Sequence, residues 1–284
     1  MCRLFALHAG GQDVEADFWL LEAPTSLAAQ SEVNADGFGL ATLSADSALL
    51  LVRNPVRAAG DRLYHGVARH AEACQFLAHL RYADTGGVSL QNTHPFFQDG
   101  RMFAHNGVVG DLERLEHRLG EQRAVVSGET DSERVFALIT LHIRAAGGDV
   151  RAGITAAVRE LADGYELYSI NFVLGEVGHL WAFRYPEHNP LLVLEHAGGG
   201  PLVERDAHGT FSMQANPRGD QRMVVIASER MDANPGWQDV GVGELIHVGP
   251  ELELDRQTVL TEPPRHPMVL SGRAQQSQAY ERDD

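Results

Sequence analysis

Met1-Cys2-Arg3-Leu4-Phe5-Ala6-Leu7-His8 opens the chain with a thiol directly behind the initiator methionine and an apolar segment directly behind the thiol. Arg3 to His8 reads as a strand. The plain reading of Cys2 is a small apolar residue at the start of that strand. A sharper reading follows from pKa values. Removal of Met1 would give Cys2 a free α-amine near ~7.7–8.0, close enough to the thiol near ~8.5 to act as its base. An N-terminal amine that activates its own side chain is a route to covalent catalysis.

The rest of the chain is read outward from that strand. Val14–Glu22 is expected as a helix with Ala16, Trp19 and Leu20 on one face, ended by Pro24. Thr25 to Ala35 reads as a loop. Gly37–Leu43 and Ala48–Val52 form a hairpin pattern entered through Asn34-Ala35-Asp36-Gly37-Phe38-Gly39. Asp61 is placed to cap a helix reaching about Cys74, and Phe76–Tyr82 reads as a buried strand. Arg101–Ala104 is expected as a short strand leading into His105-Asn106-Gly107. Thr130 with Glu133 three residues on is a capping-box signature for the helix that follows, and Val150–Ala162 forms a second helix after Gly147-Gly148.

From Tyr165 the pattern turns to strands: Leu167–Leu174, Leu180–Arg184, Leu191–Leu194, Phe211–Gln214, Met223–Ala227 and Glu244–Val248. Two strand-rich blocks flanking a helical middle fit an α+β layered domain better than alternating βαβ units. The expected organisation is one domain over residues 1–261 and a disordered tail over 262–284, where Pro263, Pro264 and Pro267 mix with Gln and charges.

Composition removes several classes of function. The chain has 284 residues and 44% hydrophobic content, enough for a sizeable core. A formal charge of −16 argues against nucleic acid as a partner. All 23 basic residues are arginine. Without lysine the chain has no phosphate-clamping P-loop lysine and no Schiff-base or pyridoxal-phosphate chemistry. No apolar run approaches a membrane span, and the opening apolar stretch is too short for a secretory signal, so a cytoplasmic protein is expected. Cys2 and Cys74 alone make no disulfide framework, and the 14 histidines show no metal-binding spacing, so neither metal nor cofactor is expected.

The polar clusters fall where strands and loops end. His79-Leu80-Arg81-Tyr82-Ala83-Asp84-Thr85-Gly86, Gln91-Asn92-Thr93-His94-Pro95-Phe96, His105-Asn106-Gly107 and Gly128-Glu129-Thr130-Asp131-Ser132-Glu133 supply a guanidinium, amide donors and a carboxylate to accompany the Cys2 thiol. These are the parts an amide-cleaving site needs. Each has a bland reading of its own. Arg81 alone reads as a surface or ion-paired arginine, Asn106-Gly107 as a hairpin turn, Asp131 as a first-turn acid favoured by the helix dipole, and His94 and His105 as structural.

Taken together and in this order, the motifs resemble the class II glutamine amidotransferases of the N-terminal-nucleophile hydrolase group. Ala227-Ser228-Glu229 and Pro235-Gly236-Trp237-Gln238 are similar to the later strand region of short stand-alone members. The resemblance implies an αββα sandwich of two antiparallel sheets between helical layers. It implies Cys2 as nucleophile with its α-amine as base, Arg81 at the substrate α-carboxylate, Asp131 at the α-ammonium, and Asn106 and Gly107 as the oxyanion hole. Asp84 stands where members that feed synthases often carry threonine.

The implied activity is hydrolysis of the glutamine side-chain amide through a thioester. Such a chain would have glutamine or another γ-glutamyl amide as its ligand and a separate ammonia-accepting synthase subunit as a partner. Two alternatives stay open: a hydrolase of another γ-glutamyl conjugate, as in ergothioneine biosynthesis, and a non-catalytic glutamine-binding regulatory module.

Overall fold

The first strand sets the architecture. In the computed structural model, which describes residues 2–83, 85–198, 202–205, 212–215 and 221–279, Arg3–His8 lies at the centre of a seven-stranded sheet. Across that sheet the order is Gln238–Asp239, Leu192–His196, Met223–Ala227, Arg3–His8, Gln75–Arg81, Gly37–Leu43 and Leu49–Asn54, every neighbour antiparallel. The second sheet runs Leu254–Thr258, Glu244–Val248, His179–Arg184, Glu166–Glu176, Arg101–Val109 and Phe96–Gln98, with His266–Pro267 added in parallel to the start of Glu166–Glu176.

Successive side chains on a strand point to opposite faces, so each sheet must bury two surfaces. Leu4, Ala6, Ala41 and Leu77 from the first sheet meet Met102, Ala104, Val173, Ala182 and Ile246 from the second in one apolar layer. The opposite face of the first sheet, with Phe5, Leu7, Phe38, Phe76 and Leu80, packs on Trp19, Leu27, Tyr64 and Ala68. That of the second, with Phe103, Phe172 and Phe183, packs on Val135, Leu138, Ile139, Ile154 and Leu161 of two fifteen-residue helices, Asp131–Ala145 and Val150–Gly164. Three apolar layers between four structural layers make the expected αββα sandwich.

Local chemistry explains where the boundaries depart from expectation. Val14–Glu15 is not helical: it pairs with Glu72–Ala73, and Asp17 accepts the N–H of Phe18, so the helical turn starts only at Phe18. Ala16, Trp19 and Leu20 are buried as expected. Within Thr25 to Ala35, Ser26 caps a short helix, Leu27–Gln30, by accepting the N–H of Ala29.

The strand expected to end at Ala104 continues to Val109. Asn106 pairs with Asn171 and Gly107 with Ile170, so this Asn-Gly pair sits inside a ladder rather than in a turn. Ser212–Ala215 pairs with Leu202–Arg205, while Phe211 and two of the three glycines at 198–200 fall outside the described residues. The segment read as a tail carries His266–Pro267 and a helix, Gly272–Ala279. No helix among the described residues is long and apolar enough to cross a membrane.

Candidate active site

The site is built at one end of both sheets. The thiol of Cys2, at the leading end of the central strand, lies 3.4 Å from the backbone N–H of Tyr82 and 3.5 Å from the Tyr82 carbonyl. Cys2 is held in place by its neighbours. Leu4 exchanges two hydrogen bonds with Ser228, giving its N–H to Oγ at 2.9 Å and its carbonyl to the Ser228 N–H at 3.0 Å. Arg3 Nε pairs with Glu229 at 3.0 Å. The Ala227-Ser228-Glu229 stretch therefore fixes the residues immediately behind the thiol.

Arg81 ends the neighbouring strand. Its guanidinium is buried and donates to the carbonyls of Thr85 at 2.8 Å, Gly86 at 3.3 Å and Gly87 at 2.9 Å. A planar fork of five donors can hold several acceptors in a curved loop at once, which a lysine cannot. Asp36 braces the same turn. Its N–H donates to Arg81 O at 3.0 Å and its Oδ2 accepts the Ala83 N–H at 2.8 Å. This gives the Asn34–Gly39 motif a physical role. Gly39 adds another: a side chain there would sit 1.9 Å from the His94 carbonyl, so only glycine lets the 92–96 segment lie against this strand.

The second half of the site comes from the other sheet and its covering helix. Asn106 is buried, and its Nδ2 has no hydrogen-bond partner among the described residues. Its carbonyl accepts from Asn189 Nδ2 at 3.4 Å, which also donates to Ser169 at 2.8 Å. A side chain at Gly107 would meet Ser169 O at 2.0 Å and His105 Nε2 at 2.5 Å.

Asp131 occupies the first turn of Asp131–Ala145, behind Thr130, whose hydroxyl accepts the Glu133 N–H at 3.4 Å. The return bond of a capping box is not made. Glu133 instead accepts the N–H groups of Ser127 at 3.0 Å and Gly128 at 2.6 Å, shaping the turn before the helix. Asp131 accepts the Val109 N–H at 2.9 Å, and His105 Nδ1 lies 2.9 Å from Ser132 Oγ. Burial pushes the Asp131 carboxyl up to about 6, against the opposing pull of the hydrogen bonds it accepts.

Packed rings and one loop bridge the halves. His79, two residues before Arg81, packs on His94 with ring centres 4.1 Å apart and planes tilted by 35°, and His94 meets Phe96 at 4.5 Å. Phe96 is in register with Phe103 of the second sheet. Burial, with the Arg81 charge and the neighbouring His105 acting in the same direction, pushes His79 down to about 3. His94 is also held well below its ordinary value, mainly by burial. Both rings are neutral and shape the site rather than exchange protons at pH 7. Asn92 donates to Glu129 at 3.1 Å and accepts the Glu129 N–H at 2.8 Å, tying the Arg81 loop to the turn before Asp131.

A family model described as the class-II glutamine amidotransferases matches residues 1–263. The chain belongs to this family. It is 31% identical over 183 residues to YafJ of Escherichia coli (strain K12), a glutamine amidotransferase by name, covering 61% of this chain and 69% of that protein. It is 33% identical over 132 residues to the glutamine–fructose-6-phosphate aminotransferase of Idiomarina loihiensis. That match covers 46% of this chain but only 21% of the relative. The solved glutamine phosphoribosylpyrophosphate amidotransferase from B. subtilis superposes with a TM-score of 0.63 at 15% identity, covering 92% of this chain and 50% of that one. At that identity the likeness carries the fold alone.

Within this amidotransferase domain, the five residues singled out from the sequence divide between two halves: Cys2 and Arg81 at the end of the first sheet, and Asn106 and Gly107 in a strand of the second with Asp131 in the first turn of the helix that covers it. Asp84 and Met1 lie outside the described residues. Sequence reasoning missed Asn189, Asn171 and Ser169, the polar group behind Asn106. Asn171 Nδ2 donates to Asn189 O at 2.8 Å, and its Oδ1 accepts the Tyr185 N–H at 3.0 Å. The available signal was an asparagine in an apolar strand and another just before Pro190. It also assigned no role to Asp36 or Asn92, although both lay inside quoted motifs.

Proposed function

We propose that this protein hydrolyses the side-chain amide of glutamine to glutamate and ammonia through a thioester on Cys2. The observation that carries the reading is the buried Nδ2 of Asn106. A buried donor without an acceptor is costly unless a ligand supplies one, and a developing oxyanion is the acceptor this chemistry provides.

With Met1 removed, the α-amine of Cys2 takes the thiol proton and the thiolate attacks the side-chain carbonyl carbon of glutamine. Asn106 Nδ2 and the Gly107 N–H receive the oxyanion. Collapse breaks the C–N bond, and the protonated amine returns its proton to the departing ammonia. Water, deprotonated by the same amine, then attacks the thioester carbonyl, releasing glutamate and regenerating the thiol. Arg81 holds the α-carboxylate of the substrate, exchanging some of its loop carbonyls for carboxylate oxygens, and Asp131 receives the α-ammonium. A separate synthase subunit takes up the ammonia. In the aminotransferase relative, the part this chain does not match is about four-fifths of the length.

The test is release of glutamate and ammonia from glutamine by protein whose mass shows loss of Met1, with Cys2→Ala as control. Release that disappears in the variant supports the reading. No release from Met1-free wild-type protein overturns it in favour of another γ-glutamyl amide or a pocket that only binds.

A further inference from the structure

The stretch matched to the family ends at residue 263, yet the chain beyond it runs back to the site. The Arg265 N–H donates to Ala162 O at 2.9 Å, His266–Pro267 pairs with Glu166–Leu167, and the Met268 N–H donates to Leu167 O at 2.9 Å. These bonds fasten the segment to the helix Val150–Gly164 and to the second sheet beside Gly110, just past the strand that carries Asn106 and Gly107. Met268 Cε packs so close that a side chain at Gly110 would stand 2.8 Å from it.

Helix Gly272–Ala279 begins four residues later, and its second residue lands on the first sheet. Arg273 Nη2 donates to Asp36 Oδ2 at 2.7 Å, and the guanidinium lies over the Tyr82 ring, 5.0 Å from its centre. Both targets belong to the Cys2 half of the site. Asp36 Oδ2 is the atom that also accepts the Ala83 N–H, and the Tyr82 backbone is what the Cys2 thiol touches. The segment thus crosses from one sheet to the other at the end of the sandwich where the site lies.

We propose that residues 264–279 form a strap across the mouth of the site and that Arg273 is its latch, a positioning residue that limits the size of the amide admitted to Cys2. The Arg273 side chain is half exposed, at 52%, and contacts of its two kinds are individually weak in water, so the latch is suited to opening and closing. Under the function proposed above, a primary amide such as glutamine is admitted with the latch closed. A γ-glutamyl amide with a bulky substituent on nitrogen requires it open. The preference among amides rests on the function proposed above, whereas access to the thiol does not.

The experiment therefore reads the thiol first. Iodoacetamide alkylation of Cys2 is followed by peptide mass in wild type, Arg273→Ala, Arg273→Glu and Arg273→Lys, with Cys74, which is buried and donates to Leu43 O at 3.2 Å, as the internal reference. Cys2 labelling is expected to rise about tenfold in the alanine variant, the factor that loss of one exposed ion pair and one cation–π contact would give. Arg273→Glu, which sets two carboxylates against each other, should rise at least as much, and Arg273→Lys should fall back toward wild type. Equal labelling in all four proteins overturns the strap. In parallel, the ratio of kcat/KM for γ-glutamyl-p-nitroanilide to that for glutamine should rise in Arg273→Ala. If neither amide is turned over by any variant while the labelling difference persists, the hydrolase reading fails and the strap stands.

Discussion

The Asp131 carboxylate accepts the Val109 N–H at 2.9 Å, joining the first turn of a helix to the strand that holds Asn106 and Gly107. The same carboxylate is fully buried with a pKa raised from its ordinary 3.8 to about 6, so it is a charge held in place at a cost to folding. An acid raised in the folded state binds a proton that the unfolded chain does not hold between about 3.8 and 6. Its penalty is complete above that window and is relieved as pH falls through it. The penalty at pH 8 is about 3 kcal/mol for a shift of this size.

Asp131→Asn keeps an oxygen for Val109 and removes the charge. Thermal unfolding without ligand should show the variant more stable than wild type at pH 8, with the advantage shrinking by pH 5. Its KM for glutamine should rise sharply at the same time, because the proposed partner of the substrate ammonium is gone. An advantage over wild type no larger at pH 8 than at pH 5 would contradict the assigned burial cost.

Gly107→Ala is expected to disrupt the site from its centre. The new methyl would lie 2.0 Å from Ser169 O and 2.5 Å from His105 Nε2, the first a backbone atom of the paired strand that cannot swing aside. Overpacking of this kind costs about 1–3 kcal/mol or more. The expected result is a lower Tm and loss of glutamate release. An alanine variant with wild-type Tm and activity would show that the two strands can separate there at no cost.

The layered α+β class was legible because strand-rich blocks and the helical middle carry strong periodic signals, and Asp61 and Thr130 mark helix starts with local chemistry. The capped helices begin where expected, at Arg62 and Asp131. What could not be read was tertiary in origin. Asn106-Gly107 has the composition of a turn but lies in a strand, because Ser169 of the partner strand needs the space a side chain would fill. Glu133 matches a capping box but turns to Ser127 and Gly128, whose N–H groups are brought near only by the folded turn. Arg273 carried no signal at all, since its partners Asp36 and Tyr82 are more than 190 positions away.

Arg81→Lys separates charge from shape. The guanidinium meets three carbonyls of residues 85–87 simultaneously, and a single ammonium cannot reproduce that fork. Hydrogen bonds to a charged group are worth about 1.5–3 kcal/mol each, so KM for glutamine should increase by about 10- to 100-fold. The value of kcat should change less, because in the proposed mechanism Arg81 binds the part of the substrate that does not react. Steady-state kinetics on Met1-free protein checks this, and an unchanged KM would remove Arg81 from substrate binding.

His94→Phe tests the neutral histidine stack through the acid limb of stability. His79 is pushed down to about 3 and His94 also lies well below its ordinary 6.5, with burial the largest cause in both. For a base lowered in the folded state, the unfolded chain takes up the proton first, so stability is lost as pH falls below 6.5. Each such group contributes a slope of up to about 1.4 kcal/mol per pH unit. Asp131 acts in the opposite sense between about 6 and 3.8 and offsets roughly one of the two histidines. Phenylalanine at 94 retains a ring against His79 and Phe96, removes two buried nitrogens that have no partner among the described residues, and deletes one of the two slopes. Denaturant unfolding of both proteins from pH 7 to pH 4.5 should show wild type losing stability more steeply than the variant below pH 6.5, by up to about 1.4 kcal/mol per pH unit. Parallel curves would mean that His94 gains its proton without unfolding, and that the stack is not held neutral by its burial.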